Sequence, residues 1–151
     1  MLRLVRTTSE NADFRALVQL LDQDLAERDG AEHGFYAQFN KIANLDHVVV
    51  AYQAGEPVGC GAFKPFETDA VEIKRMFVQP AHRGQGVAQA VLAELEKWAA
   101  ELRYAACVLE TGQKQPEAIA LYKRSGYALT PNYGQYVGIE NSVCMRKVIG
   151  S

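Results

Sequence analysis

The chain has 151 residues, 48% of them hydrophobic, which suits one compact domain spanning 1–151 with a sizeable core. Its 16 Lys and Arg stand against 18 Asp and Glu, and the formal net charge of −2 provides no basic field for nucleic acid. No apolar run reaches the ~18 residues a membrane span needs, and Met1-Leu2-Arg3-Leu4-Val5-Arg6 lacks a signal-peptide core, so a cytoplasmic protein is expected.

Leu2–Arg6 alternates apolar and charged residues, the period of a strand. Phe14, Leu17, Val18, Leu21 and Leu25 recur at helical steps within Ser9–Arg28, with Ser9 or Asn11 as cap and Gly30 as stop. Glu32–Ala43 reads as a second, shorter helix. Asp46–Gln53 and Val58–Lys64 form a hairpin about Ala54-Gly55-Glu56-Pro57, and Ala70–Val78 is the next strand. Gly84–Arg103 reads as a helix with Ala88, Val91, Leu92, Leu95, Trp98 and Leu102 on one stripe. Tyr104–Glu110 follows as a strand, and Pro116 opens a helix that Gly126 closes. The region around Pro131-Asn132-Tyr133-Gly134 reads as loop, and Asn141–Val148 as the last strand. That order implies one α/β sheet packed on both faces. Cys60, Cys107 and Cys144 are odd in number, lack a Cys-x-x-Cys pair and lie in apolar runs. Free buried thiols are expected, and no metal site.

The most informative stretch joins the strand ending at Val78 to the helix that follows. The first amides of a helix have no intrahelical partner, and the helix dipole makes that end positive. A phosphate placed there collects charge-assisted hydrogen bonds. Gly84 and Gly86, with the small Ala88, let a diphosphate approach the backbone, and Arg83 adds a permanent charge. A lone Gly-x-Gly also serves as a plain strand-to-helix turn. No Walker run is present, and the loop lies too far along the chain for a dinucleotide fingerprint.

Arg83-Gly84-Gln85-Gly86-Val87-Ala88 resembles the Arg/Gln-x-x-Gly-x-Gly/Ala acetyl-CoA signature of the GCN5-related N-acetyltransferases (GNAT family). Met76-Phe77-Val78-Gln79-Pro80 resembles that family's fourth strand, and Leu121-Tyr122-Lys123-Arg124-Ser125-Gly126-Tyr127 the end of its later helix. The resemblance implies a mixed, mostly antiparallel central sheet with helices on both faces. It also implies transfer of acetyl from acetyl-CoA to an amine by direct attack in a ternary complex. Met76, Phe77 and Val78 would lie along the pantetheine arm, and Arg83, Gly84, Gln85, Gly86, Val87 and Ala88 would hold the pyrophosphate. Gln115 stands where the family often has Asn, which weakens one side-chain contact to the cofactor.

Two proton transfers remain to be assigned. An alkyl ammonium, with a pKa near ~10.4, must lose a proton, and Glu72 is the candidate acceptor. Regular alternation would put it on the same strand face as Met76, four residues on; pairing with Lys74 on a half-buried face is the plain alternative. A departing thiolate must gain a proton, and Tyr122 matches the family tyrosine that often supplies it; a core tyrosine is its plain alternative. Around the acceptor, family position gives Glu32, His33, Phe35, Tyr36 and Phe39, then Phe63, Phe66 and Glu67, then Tyr133, Gly134, Tyr136 and Asn141; plain core and loop packing is their alternative, with His33 a surface or capping residue. Asp22, Asp24, Glu27, Asp29 and Glu32 make an acidic cluster that would attract a cationic acceptor or serve only as a solvated helix face. The expected partner is a small-molecule or amino-acid-like amine, without nucleic acid or membrane, in a monomer or homodimer. A protein or peptide acetyltransferase and a non-catalytic acyl-CoA-binding module are the alternatives.

Overall fold

The computed structural model describes residues 1–29 and 44–150. Over these the chain runs β1 (Leu2–Thr7), α1 (Ala12–Asp29), β2 (His47–Gln53), β3 (Glu56–Glu67), β4 (Ala70–Val78), α2 (Val87–Glu101), β5 (Ala106–Gly112), α3 (Pro116–Arg124), β6 (Ala128–Thr130) and β7 (Ser142–Val148). The helix read over Glu32–Ala43 and its neighbour Gly30 lie outside the described residues. The strands make one 7-stranded sheet in the order β1-β2-β3-β4-β5-β7-β6. Every neighbouring pair is antiparallel except β4–β5. Among the described residues no helix is long and apolar enough to cross a membrane.

Alternation along the strands divides the core in two. Val49, Ile73, Val78, Leu109 and Met145 face Val91, Leu92 and Leu95 of α2 and Tyr122 of α3. Val48, Val50, Cys60 and Phe77 point the other way, onto Phe14, Leu17, Val18 and Leu21 of α1. Asn11 caps α1, its Oδ1 accepting from the Phe14 amide at 2.9 Å. Ser9 instead ties the start of α1 to Leu45. Its amide donates to Leu45 O at 2.9 Å, and its Oγ accepts from Leu45 N at 3.1 Å. All three cysteines are free and buried. Burial pushes the Cys60 and Cys107 thiols up to about 12, so neither is a thiolate nucleophile at neutral pH.

Several boundaries differ from the sequence reading for local reasons. Ala54 and Gly55 take φ of 54° and 81°, a two-residue hairpin turn, so Glu56 and Pro57 belong to β3. Pro57 and Pro65 are tolerated inside that strand because register shifts fall beside both. α2 begins at Val87, not Gly84, because Gly84 and Gly86 hold φ of 78° and 83°, outside the helical region. β5 is displaced by two residues from Tyr104–Glu110 to Ala106–Gly112, and β6 was not expected at all.

Two features of β4 position the site. Ala62 pairs with Lys74 and Cys60 with Phe77, so Gly61 alone opposes both Arg75 and Met76. This is a bulge, and Arg75 adopts a left-handed φ of 60° within it. The extra residue reverses the alternation: Ile73 and Met76 both pack toward α2, whereas Phe77 packs toward α1. In addition, the pairing of β4 with β5 ends at Glu72 and Val108. Beyond that pair the two parallel strands part and leave a fork in the sheet.

Gly59 lets α2 seat close above this region. A Cβ there would come 2.8 Å from Val87 Cγ1 and 3.1 Å from the Phe77 carbonyl oxygen. The carbonyl is backbone and cannot swing away. Gly59→Ala should therefore lower stability by about 1–3 kcal/mol, read as a melting temperature reduced by several degrees.

Candidate active site

Two cavities meet at the fork. The larger, about 410 Å³, runs beside Met76, Phe77 and Val78 of β4, past Arg83, Gly84 and Gly86, and over Val87 and Ala88 to Gln115 and Tyr122. Its volume is within the range of small-molecule and cofactor sites. Because β4 has no ladder partner on its β5 side after Glu72, its edge is available to an extended ligand. At the far end the first intrahelical bond of α2 runs from Ala90 N to Gly86 O, 3.0 Å, so the preceding amides open the helix. A Cβ added at Gly84 or Gly86 would meet nothing within 4 Å, leaving room for a bulky anion over the backbone. Arg83 is anchored rather than extended: its Nε donates to Val78 O at 2.9 Å and its guanidinium lies 5.7 Å from the centre of the Phe77 ring. Gln85 is exposed and outside the cavity lining.

The smaller cavity, about 110 Å³, occupies the fork itself. Glu72, Lys74, Arg75, Glu110 and Tyr136 line it, and so do Met76, Ala118 and Tyr122. Glu72 alternates with Val71 and Ile73 and so points toward the α1 face, while Met76 and Tyr122 belong to the α2 face. Glu72 and Met76 therefore do not share a strand face as regular alternation requires; the bulge at Arg75 separates them. They meet only because the cavity passes through the split sheet. Met76, Gln115, Ala118 and Tyr122 line both cavities, which puts Tyr122 at their junction.

Glu72 is 3% exposed. Its Oε2 accepts from Tyr133 Oη at 2.9 Å, and Lys64 Nζ lies 3.8 Å from Oε1. Tyr133 is in turn held edge-on by Phe66, ring centres 4.6 Å apart. Asn132 fixes the loop behind it, its Nδ2 donating to the carbonyls of Tyr136, Ile139 and Ser142 at 3.0–3.1 Å. Burial, then the charge of Glu72, raises the Tyr133 phenol pKa, so it remains a donor. Burial also raises that of Tyr122, with the Glu110 charge adding to it. Burial lowers the Lys74 ammonium pKa, against the opposing pull of Glu72. Phe63 does not reach the site: it stacks on His47 at 4.7 Å and is 1% exposed in the α2-side core. Glu67 instead pairs with Arg146 at 3.9 Å. Glu32, His33, Phe35, Tyr36 and Phe39 lie outside the described residues. Sequence reasoning passed over Arg75 and Glu110. The adjacent charges Lys74-Arg75 inside an apolar strand were the available signal, since one of any two neighbours in a strand must point inward.

A groove along a free strand edge, ending at helix-opening amides and meeting a second cavity at a buried tyrosine, has room for an extended ligand that carries an anion. The chain belongs to the acetyltransferase (GNAT) family, whose model matches residues 14–127. It is 35% identical over 133 residues to an IAA acetyltransferase of Azospirillum brasilense, covering 87% of each chain. A crystal structure from Klebsiella pneumoniae, classed among the acyl-CoA N-acyltransferases, superposes with a TM-score of 0.83 at 30% identity over 99% of this chain and 98% of that one. The PaiA N-acetyltransferase of Thermoplasma acidophilum, solved in complex with coenzyme A, shares the fold with a TM-score of 0.72 at 14% identity, over 98% and 99% of the two chains.

Proposed function

We propose that the whole chain is one cytoplasmic N-acetyltransferase domain that moves an acetyl group from acetyl-CoA to the primary amine of a small, amino-acid-like molecule in a ternary complex. The observation that carries this reading is the junction of the two cavities at Tyr122. One cavity suits a coenzyme arm and its diphosphate. The other, far smaller, admits little more than the reacting end of an acceptor, which favours a compact amine. Acetyl-CoA supplies an acyl carbon activated by a thiolate leaving group.

The chain's own residues do the rest. The free edge of β4 orients the arm, and the amides from Gly84 to Ala88 hold the diphosphate. Glu72, aligned by Tyr133, takes the proton the amine gives up, directly or through a water. Tyr122 gives its proton to the sulfur as the carbon–sulfur bond breaks and the carbon–nitrogen bond forms. Its buried phenol remains protonated at neutral pH and so is loaded for that step.

Calorimetry with coenzyme A, followed by thiol-release turnover of acetyl-CoA across a panel of amines, tests the reading. Saturable heat and amine-dependent thiol release are expected; coenzyme binding without turnover of any amine would leave only an acyl-CoA-binding module. Glu72→Gln should lower kcat/KM by about 100-fold or more at neutral pH. The deficit should shrink as pH approaches the amine's own pKa of ~10.4, where the acceptor arrives already deprotonated. A wild-type pH–rate profile in this variant would remove Glu72 from proton transfer.

A further inference from the structure

Arg75 is the residue whose environment the acetyl-transfer reading leaves unexplained. Its side chain is 2% exposed, and it forms an ion pair from Nη2 to Asp22 Oδ1 at 2.7 Å. That partner is half in solvent, at 50% exposure, so much of its charge is already shared with water. The other two guanidinium nitrogens, Nε and Nη1, are buried and have no hydrogen-bond partner among the described residues. Leaving donors of a buried cation unsatisfied is unfavourable, and a purely structural arginine would be expected to use its planar fork more fully. The backbone at the same residue is also unfavourable, with a left-handed φ of 60° at the bulge. Two local penalties coincide at a residue that lines the smaller cavity.

Chemistry of both signs surrounds that cavity. Glu72 and Glu110 supply carboxylates suited to an ammonium, and Arg75 supplies a cation. We propose that Arg75 recognises an acid group on the acceptor, so that the amine acetylated here also carries a carboxylate, as an α-amino acid does. The inference rests on the acetyl-transfer reading above and narrows its acceptor class. A planar carboxylate can accept from either Nη1 or Nε, donors that Asp22 does not reach, with the second Nη2 hydrogen completing the fork. It would bind on the α1 face, with its amine directed through the fork toward Tyr122. The acid group itself is not transformed; it fixes the orientation of the nitrogen.

The test compares matched acceptors. Wild-type enzyme is assayed with the common α-amino acids, β-alanine and 4-aminobutyrate, each against its own carboxamide and its decarboxylated amine. A site built around a charged contact should discriminate by about 100-fold or more in kcat/KM in favour of the acid. Arg75→Met should reduce the acid-to-amide ratio to within about threefold of unity, and Arg75→Lys, which keeps the charge but loses the fork, should give an intermediate ratio. Calorimetric titration of the preferred amino acid into the coenzyme A complex supplies a readout independent of turnover, and its binding heat should vanish in Arg75→Met. The wild-type comparison decides the matter even if Arg75→Met fails to fold. Equal acetylation of acids and amides by wild type overturns the role of Arg75 while leaving acetyl transfer intact. Coenzyme binding with no acetylation of any amine overturns both.

Discussion

Replacing Tyr122 with phenylalanine should lower kcat by about 100-fold or more while changing the KM for acetyl-CoA by less than about threefold. The substitution is informative because it removes one oxygen from a site that otherwise stays packed. Tyr122 is 6% exposed, and its ring meets Tyr127 edge-on with centres 5.9 Å apart. Phenylalanine keeps that ring contact, so the melting temperature should hardly move. If Tyr122 were only a core residue, turnover would hold as well. The pH dependence has a definite sign. Burial first, and the Glu110 charge second, raise the phenol pKa above its ordinary value of ~10. Below that ordinary value the group is protonated in both folded and unfolded chains, and its contribution to stability is fully present. That contribution is lost only as pH rises through the raised folded value. Tyr122 therefore stays loaded at neutral and mildly alkaline pH, and any alkaline decline in kcat below pH ~10 must come from another group. Steady-state kinetics of both proteins from pH ~6 to ~10 check the assignment.

The loop and helix start beside the larger cavity were legible in the sequence because their signals are carried by the backbone. Gly84 and Gly86 are residues that tolerate the φ of 78° and 83° they adopt, and Pro116 marks the helix that brings Tyr122 to the junction. The smaller cavity was not legible, because it depends on pairing between distant strands. Period-two alternation places Glu72 beside Met76; only the β3–β4 register, in which Gly61 opposes two residues, reveals the bulge that parts them. The fork has the same origin, since nothing local in Ala106–Gly112 says that its pairing with β4 ends at Val108. Arg75, adjacent to Lys74 in the sequence, is a buried cation because the bulge turns it toward Asp22. The strand Ala128–Thr130 escaped notice because three residues carry too little periodicity; its pairing with β7 at the sheet edge defines it.

Gly86→Val should raise the KM for acetyl-CoA by about 10- to 100-fold, the equivalent of about one charge-assisted hydrogen bond to the diphosphate. The cause lies in the backbone before it lies in bulk. With φ at 83°, a β-branched residue is strained there, although no atom lies within 4 Å of where its Cβ would stand. Relief comes by rotating the peptide, which re-aims the amides that open α2. The new side chain also stands over the cavity that Gly86 lines. Gly55→Val separates these effects from general destabilisation. Gly55 has nearly the same φ, 81°, and equally open surroundings, but it sits in the β2–β3 turn. Both variants should lose about 1–3 kcal/mol of stability through backbone strain. Only the residue at the mouth of α2 should affect coenzyme affinity, by calorimetry as well as by KM. An unchanged affinity in Gly86→Val, alongside the same loss of stability, would mean that the helix-opening amides hold no phosphate, and the coenzyme would have to be sought elsewhere on the sheet.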